Sequence, residues 1–184
     1  MLNTHEKLYT SEDYWNLPDG ERAELIDGVL YGMAPPNFRH QKLVSELHHV
    51  LMSHVKSQKG RCEVMLAPYA VNLMGDDKKW VEPDISVICD RDKLSDRGCE
   101  GAPDFIIEVV SPGSRRMDYA VKMNLYADAG VREYWIVDPM KNRTTVYLFE
   151  EDFAPLVFPF DRDITVGIYG SLSINVALLL QEQE

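Results

Sequence analysis

Residues 101–113, GAPDFIIEVVSPG, hold an unbroken apolar run bounded by glycine and proline, with a carboxylate in its middle. Strand side chains alternate between faces, so Glu108 shares a face with Ile106 and Val110, while Phe105, Ile107 and Val109 take the other. Both faces are apolar. Such a strand lies inside a sheet covered on both sides, which restricts the chain to layered architectures. It also poses a problem, because a carboxylate in an apolar setting takes up a proton unless something compensates its charge.

The flanking pattern supports that class. Thr10 or Ser11 can cap a short helix that runs to Asp13 or Tyr14 and stops before Pro18-Asp19-Gly20. Asp27-Gly28 is a short-hairpin signal, so ELIDGVLYG reads as a β-hairpin. After Pro35-Pro36, the spacing of Leu43, Val44, Leu47, Val50, Leu51 and Val55 predicts a helix over 39–57, ended by Gly60. Strands are expected over 62–73 and 81–89, separated by GDDKK, and again over 104–110. A second helix over 117–129 stops at Gly130. The strands EYWIV and TTVYLFE follow, then a final β segment and the apolar tail INVALLL. The expected fold is α/β, a mixed central β-sheet flanked by helices, with antiparallel hairpins at both ends. No repeat, low-complexity tract or linker divides the 184 residues, a length that suits a single domain.

No apolar run approaches the roughly 20 residues that span a bilayer, so no membrane partner is expected. The amino-terminal MLNTHEKLYT lacks the basic-then-apolar order of a signal peptide. The expected compartment is the cytoplasm. Cys62, Cys89 and Cys99 are odd in number and lack C-x-x-C spacing, so they read as packing or incidental thiols. A net charge of −11 counts against nucleic-acid binding, which rests on cations that neutralise phosphates. The bases nevertheless cluster, at Lys56, Lys59 and Arg61, at Lys78 and Lys79, and at Arg115 and Arg116. A local cationic rim on an acidic body, or plain solvated faces, fit this pattern equally.

Asp84, in VEPDISVIC, opens a second apolar strand. If the two strands are neighbours, Asp84 and Glu108 converge on a hard divalent cation, which supplies the missing compensation. Otherwise Asp84 is a turn residue at a strand entry. At about 100° per residue, Lys122 shares its helix face with Tyr119, Leu125, Tyr126 and Ala129, the apolar side. Its stem can lie along the core with the ammonium in water, or the ammonium can reach the carboxylates, with Asp118 one turn earlier to orient it. Glu24 stands on the hairpin strand RAELI, solvent-facing or turned to the site. His40 falls on the stripe of Leu43, Leu47 and Leu51, as a hydrogen-bonded core residue or a proton-transfer group.

ELIDG, His40 opening a helix, EPDISVI, PDFIIEVVSPGS, DYAVK and GVREYWIVDP, in this order, resemble the Uma-type (Uma two) restriction endonuclease family of the PD-(D/E)xK nuclease superfamily. The resemblance runs from about residue 9 to residue 180 and implies a restriction-endonuclease-like fold with a metal-dependent phosphodiesterase site. It places the metal ligands at Asp84 and Glu108, with Glu24 as an early acidic member and His40 in support; the expected site adds the backbone carbonyl of Val109 as a further metal ligand and Asp118, one turn before Lys122, as a further support. The superfamily pattern has lysine two residues after the glutamate, where this chain has Val110; the resemblance assigns the lysine to Lys122 on the next helix. The expected activity is Mg2+- or Mn2+-dependent endonucleolytic hydrolysis of DNA by a dimer. The alternatives are a nuclease fold without catalysis, joined through EYWIVDP or its hairpin, and a hydrolase of another phosphate ester.

Overall fold

A computed structural model describes residues 7–181. The chain opens with α1 (Ser11–Trp15), the hairpin strands β1 (Ala23–Ile26) and β2 (Val29–Gly32), and the long helix α2 (Phe38–Ser57). Next come β3 (Glu63–Leu66), β4 (Val71–Asn72), β5 (Lys79–Val81), β6 (Ile85–Ile88), β7 (Cys99–Glu100) and β8 (Phe105–Val109). A π-helical turn (Met117–Lys122) runs into α3 (Met123–Ala129). The last elements are β9 (Glu133–Asp138), β10 (Arg143–Leu148), β11 (Asp152–Pro159), β12 (Asp163–Thr165), β13 (Ser173–Asn175) and α4 (Val176–Leu179).

A six-stranded sheet in the order β11-β10-β9-β8-β6-β3 forms the centre, and within it only β8 and β9 run parallel. The sheet is therefore mixed, as expected, with α3 in the crossover between the parallel pair. A second sheet, β2-β1-β5-β4-β7, holds the amino-terminal hairpin. Asp27 (φ 50°) and Gly28 (φ 79°) both adopt left-handed conformations at the hairpin tip, the backbone that a two-residue primed turn requires.

Both faces of β8 are covered. Phe105, Ile107 and Val109 pack with Leu43, Leu47 and Leu51 of α2 and with Val166 and Ile174 near the carboxyl terminus. Ile106 and Val110 face Leu125 and Tyr126 of α3 and Val71 and Val81 of the second sheet. Asn37 caps α2 by accepting from the His40 amide at 2.9 Å, and so fixes where that helix begins.

Several expectations are corrected. The strands expected over 62–73 and 81–89 are each interrupted, at Pro68 and Pro83, which have no amide hydrogen to donate to a ladder. GDDKK accordingly joins β4 and β5 of the second sheet and does not link two central strands. The helix expected over 117–129 begins as a π turn. Every residue of β9 is buried, so EYWIVD offers no surface to a partner; the exposed edge of that meander is β11, with Leu156 and Val157. The amino terminus, where a signal peptide is not expected, lies through residue 6 outside the described residues. No described helix is long and apolar enough to cross a membrane.

The cysteine expectation is also corrected. Cys62 and Cys89 form a disulfide, while Cys99 is free and buried. The cause is register: Glu63 pairs with Ile88 in the antiparallel β3–β6 ladder, so the next residues outward, Cys62 and Cys89, stand opposite each other. Spacing along the chain gives no hint of a pairing made across strands. Thiol titration of the denatured, unreduced protein should find one thiol per chain, and three after reduction. Reduction should cost about 3–4 kcal/mol of stability, the entropy of opening a loop whose ends are 27 residues apart, read as a lower melting temperature.

Candidate active site

The site forms where β6 and β8 lie side by side. Ile85 pairs with Ile107 in this antiparallel ladder, so Asp84 stands opposite Glu108. Each carboxylate accepts from the other's strand: Glu108 Oε2 from the Asp84 amide at 3.3 Å, and Asp84 Oδ2 from the Val109 amide at 2.8 Å. The strands are thus tied by side chains just where the ladder ends.

Lys122 enters from the π turn. Its ammonium lies 2.9 Å from Glu108 Oε1, 2.9 Å from Glu24 Oε1 and 3.8 Å from Asp118 Oδ1, and its side chain is only 5% exposed. Asp118 and Lys122, four residues apart, fall on one face of this turn and both point into the core. The α-helical count had the right side of the helix but not the local winding. Glu24 is buried, not solvent-facing, and its Oε1 also accepts from the Glu82 amide at 3.0 Å. His40 joins from α2: Nε2 is 3.2 Å from Asp84 Oδ2, while Nδ1 is buried without a hydrogen bond. Of the acidic members, Asp84 alone is appreciably exposed, at 18% of its side chain.

All six candidate side chains, Glu24, His40, Asp84, Glu108, Asp118 and Lys122, thus join one contiguous cluster. Other members were missed. Tyr126, which the helical count treats as apolar, donates its hydroxyl to Glu108 Oε1 at 2.7 Å. Ser114 Oγ donates to Asp118 Oδ2 at 2.6 Å. Glu82, whose amide holds Glu24, is itself fixed by the Tyr14 hydroxyl at 2.9 Å and by Arg22. The available signals were Tyr126 four residues after Lys122, and Glu82 two residues before Asp84.

Burial dominates the electrostatics. It pushes the Glu108 carboxyl up to about 8 against the opposing pull of Lys122, with Asp84 and Asp118 adding repulsion. Asp118 rises to about 6, again through burial opposed by Lys122. Lys122 goes the other way from what burial dictates: its acidic neighbours hold its pKa well above the usual lysine range. For His40, burial lowers the pKa, but the hydrogen bond and charge of Asp84 outweigh it and the net shift is upward.

The donors suit a hard cation in type. Asp84 Oδ1 takes part in none of the bonds above, and Glu108 Oε2 accepts only one long bond. Among the described residues no three His, Cys, Asp or Glu side chains form a metal cluster, so a cation here would have two carboxylates, the Val109 carbonyl and water to draw on.

A mixed sheet with a helix across each face and an acidic pair at the end of neighbouring central strands is the restriction-endonuclease-like fold. The chain belongs to the Uma2 family, described as "Putative restriction endonuclease", whose pattern matches residues 11–176. It is 26% identical over 172 residues to a protein of Synechocystis named "Uncharacterized protein slr1290", covering 90% of this chain and 88% of that one. A crystal structure from Anabaena variabilis, titled as a putative nuclease belonging to DUF820, superposes with a TM-score of 0.75 at 25% identity, covering 92% of this chain and 96% of that one.

Two outcomes test the cluster. Lys122→Met leaves Glu24 and Glu108 buried without a counter-charge, and should cost about 3–5 kcal/mol in urea denaturation, with most of it recovered when both glutamates become glutamine. Glu108 ordinarily titrates near 4.5 and Asp118 near 3.8, so the folded chain retains protons that the unfolded chain has lost. Its stability in chelator should therefore fall as pH rises from about 5 to about 8.

Proposed function

We propose that this chain is a magnesium- or manganese-dependent endonuclease that hydrolyses DNA phosphodiester bonds, with its catalytic domain spanning about residues 9–180. The observation that supports it is the Lys122 ammonium at 2.9 Å from both Glu24 and Glu108, beside Asp84. A lysine next to an acidic pair on adjacent strands is the constellation of this nuclease class, and Lys122 would supply the lysine here from another element.

Asp84, Glu108 and the Val109 carbonyl would hold the cation. When bound, the cation would polarise a phosphoryl oxygen and acidify a coordinated water. Glu24 would join through water. Lys122, freed in part from Glu108, would donate to the attacking water or to charge developing on phosphorus. Tyr126 would keep the Glu108 carboxylate oriented, and His40 would hold Asp84 while offering a proton-transfer group at the solvent side.

A second reading, a nuclease fold that binds without cutting, draws on the near-complete burial of Glu24, Glu108, Asp118 and Lys122. Plasmid DNA separates the two. Wild type with magnesium or manganese at low salt should nick supercoiled plasmid, whereas Glu108→Gln and Lys122→Met should lose at least about 100-fold in rate, the scale of losing a group that stabilises transition-state charge. Intact plasmid with both metals, or variants that cut as fast as wild type, would sink the enzyme reading.

A further inference from the structure

Three segments near the exposed end of the site carry no acidic residue. They are residues 33–43 leading into α2, 111–117 after β8, and 139–143 after β9, and they supply Arg39, Lys42, Arg115, Arg116, Lys141 and Arg143. In a chain with 30 Asp and Glu against 19 Lys and Arg, that is a local reversal of sign. The acids that flank the second and third segments are already engaged: Asp118 with Lys122 and Ser114, and Asp138 with Arg115.

The fold holds these segments together. β8 and β9 run parallel, with Val109 opposite Val137, so the chains leaving them emerge at the same end. Arg39 donates to Asn142 Oδ1 at 2.9 Å, which joins the start of α2 to the β9–β10 turn. Arg115 lies 3.2 Å from Asp138 Oδ2, and that carboxylate also accepts from the Tyr119 hydroxyl at 3.3 Å. The guanidinium carbons of Arg115 and Arg143 sit 5.8 and 5.9 Å from the centre of the Tyr119 ring. Arg39 immediately precedes His40, and Tyr119 immediately follows Asp118, so the cationic belt adjoins the acidic cluster at both ends.

Phe38 stands on the same belt. It is 83% exposed, the most exposed large apolar side chain among the described residues, and lies two positions before the histidine that contacts Asp84. One exposed aromatic is ordinary on a protein surface. Between a cationic belt and an acidic cluster it has a specific use, because single strands are held by cations along the phosphates and by aromatic rings under the bases.

We infer that Phe38, with Arg39, Arg115, Arg116 and Lys141, forms a docking rim for an unpaired stretch of nucleic acid, Phe38 stacking on one base and the cations holding the neighbouring phosphates. The inference rests on the nuclease reading and narrows it, from DNA in general to single-stranded DNA or a flap.

The test measures binding in chelator, where nothing is cut, by fluorescence anisotropy of a labelled oligothymidylate and of a duplex of equal length. Wild type should prefer the single strand. Phe38→Ala should weaken single-strand binding about tenfold, the scale of one base stack, and change duplex binding less than twofold, while Phe38→Trp restores it. Arg39→Ala with Arg116→Ala should weaken both substrates and flatten the single-strand salt dependence by about 0.7 per cation removed. The rim is overturned if wild type binds no oligonucleotide, or if Phe38→Ala binds the single strand as well as wild type does. It is equally overturned if that variant alters only the sedimentation of the free protein, since a second copy of the chain then covers the ring. Plasmid cutting by wild type, measured separately, keeps the nuclease reading distinct from each of these outcomes.

Discussion

One ammonium group organises the interior of this protein. Lys122 sits between Glu24 and Glu108 with almost no access to water, and each of the three comes from a different structural layer. Glu24 belongs to the amino-terminal sheet, Glu108 to the central sheet and Lys122 to the turn before α3. Desolvating such charges costs several kcal/mol per ion unless their geometry and remaining hydrogen bonds are good. Those bonds are present: Tyr126 and the Asp84 amide on Glu108, and the Glu82 amide on Glu24. The layers therefore have one relative position at which the charges are satisfied, and apolar packing alone is far less selective among neighbouring positions.

The position of Lys122 on the crossover follows from the same geometry. At the end of β8, Val110 packs with Leu125 and Tyr126 as part of the core. A lysine on the strand would bring its charge from within the sheet, whereas Lys122 brings it from above, on the element that crosses from β8 to β9. The π turn puts that residue over the carboxylates with Asp118 behind it. Lysine placement and crossover packing thus become a single requirement.

Much of this was legible from residues alone. The doubly apolar strand around Glu108, the Asp-Gly hairpin, the periodic run of α2 and the glycine after α3 are local signals, and each one survived. The six candidate site residues were visible because each breaks a pattern, a charge on an apolar face or a histidine on a leucine stripe. What stayed hidden depends on pairing across the chain. The disulfide needs the β3–β6 register, the second sheet needs β4 and β7, each only two residues long, and the hydroxyl of Tyr126 is indistinguishable by periodicity from another core ring. The winding at Met117–Lys122 was hidden for a different reason, since an extra residue per turn leaves the set of buried positions almost unchanged.

The reciprocal hydrogen bonds between Asp84 and Glu108 bear on how such a site tolerates change. Each side chain terminates the other's strand, so the two carboxylates and the spacing of the two backbones form one mechanical unit. Trimming either side chain loosens the frame as well as removing a charge, and alanine substitution conflates the two effects. Amide replacements at these positions keep an acceptor for the partner amide while removing the charge. Over evolutionary time the same coupling favours paired change: a lineage that abandons one carboxylate loses the strand alignment that makes the other useful, so the two acids are expected to persist or disappear together.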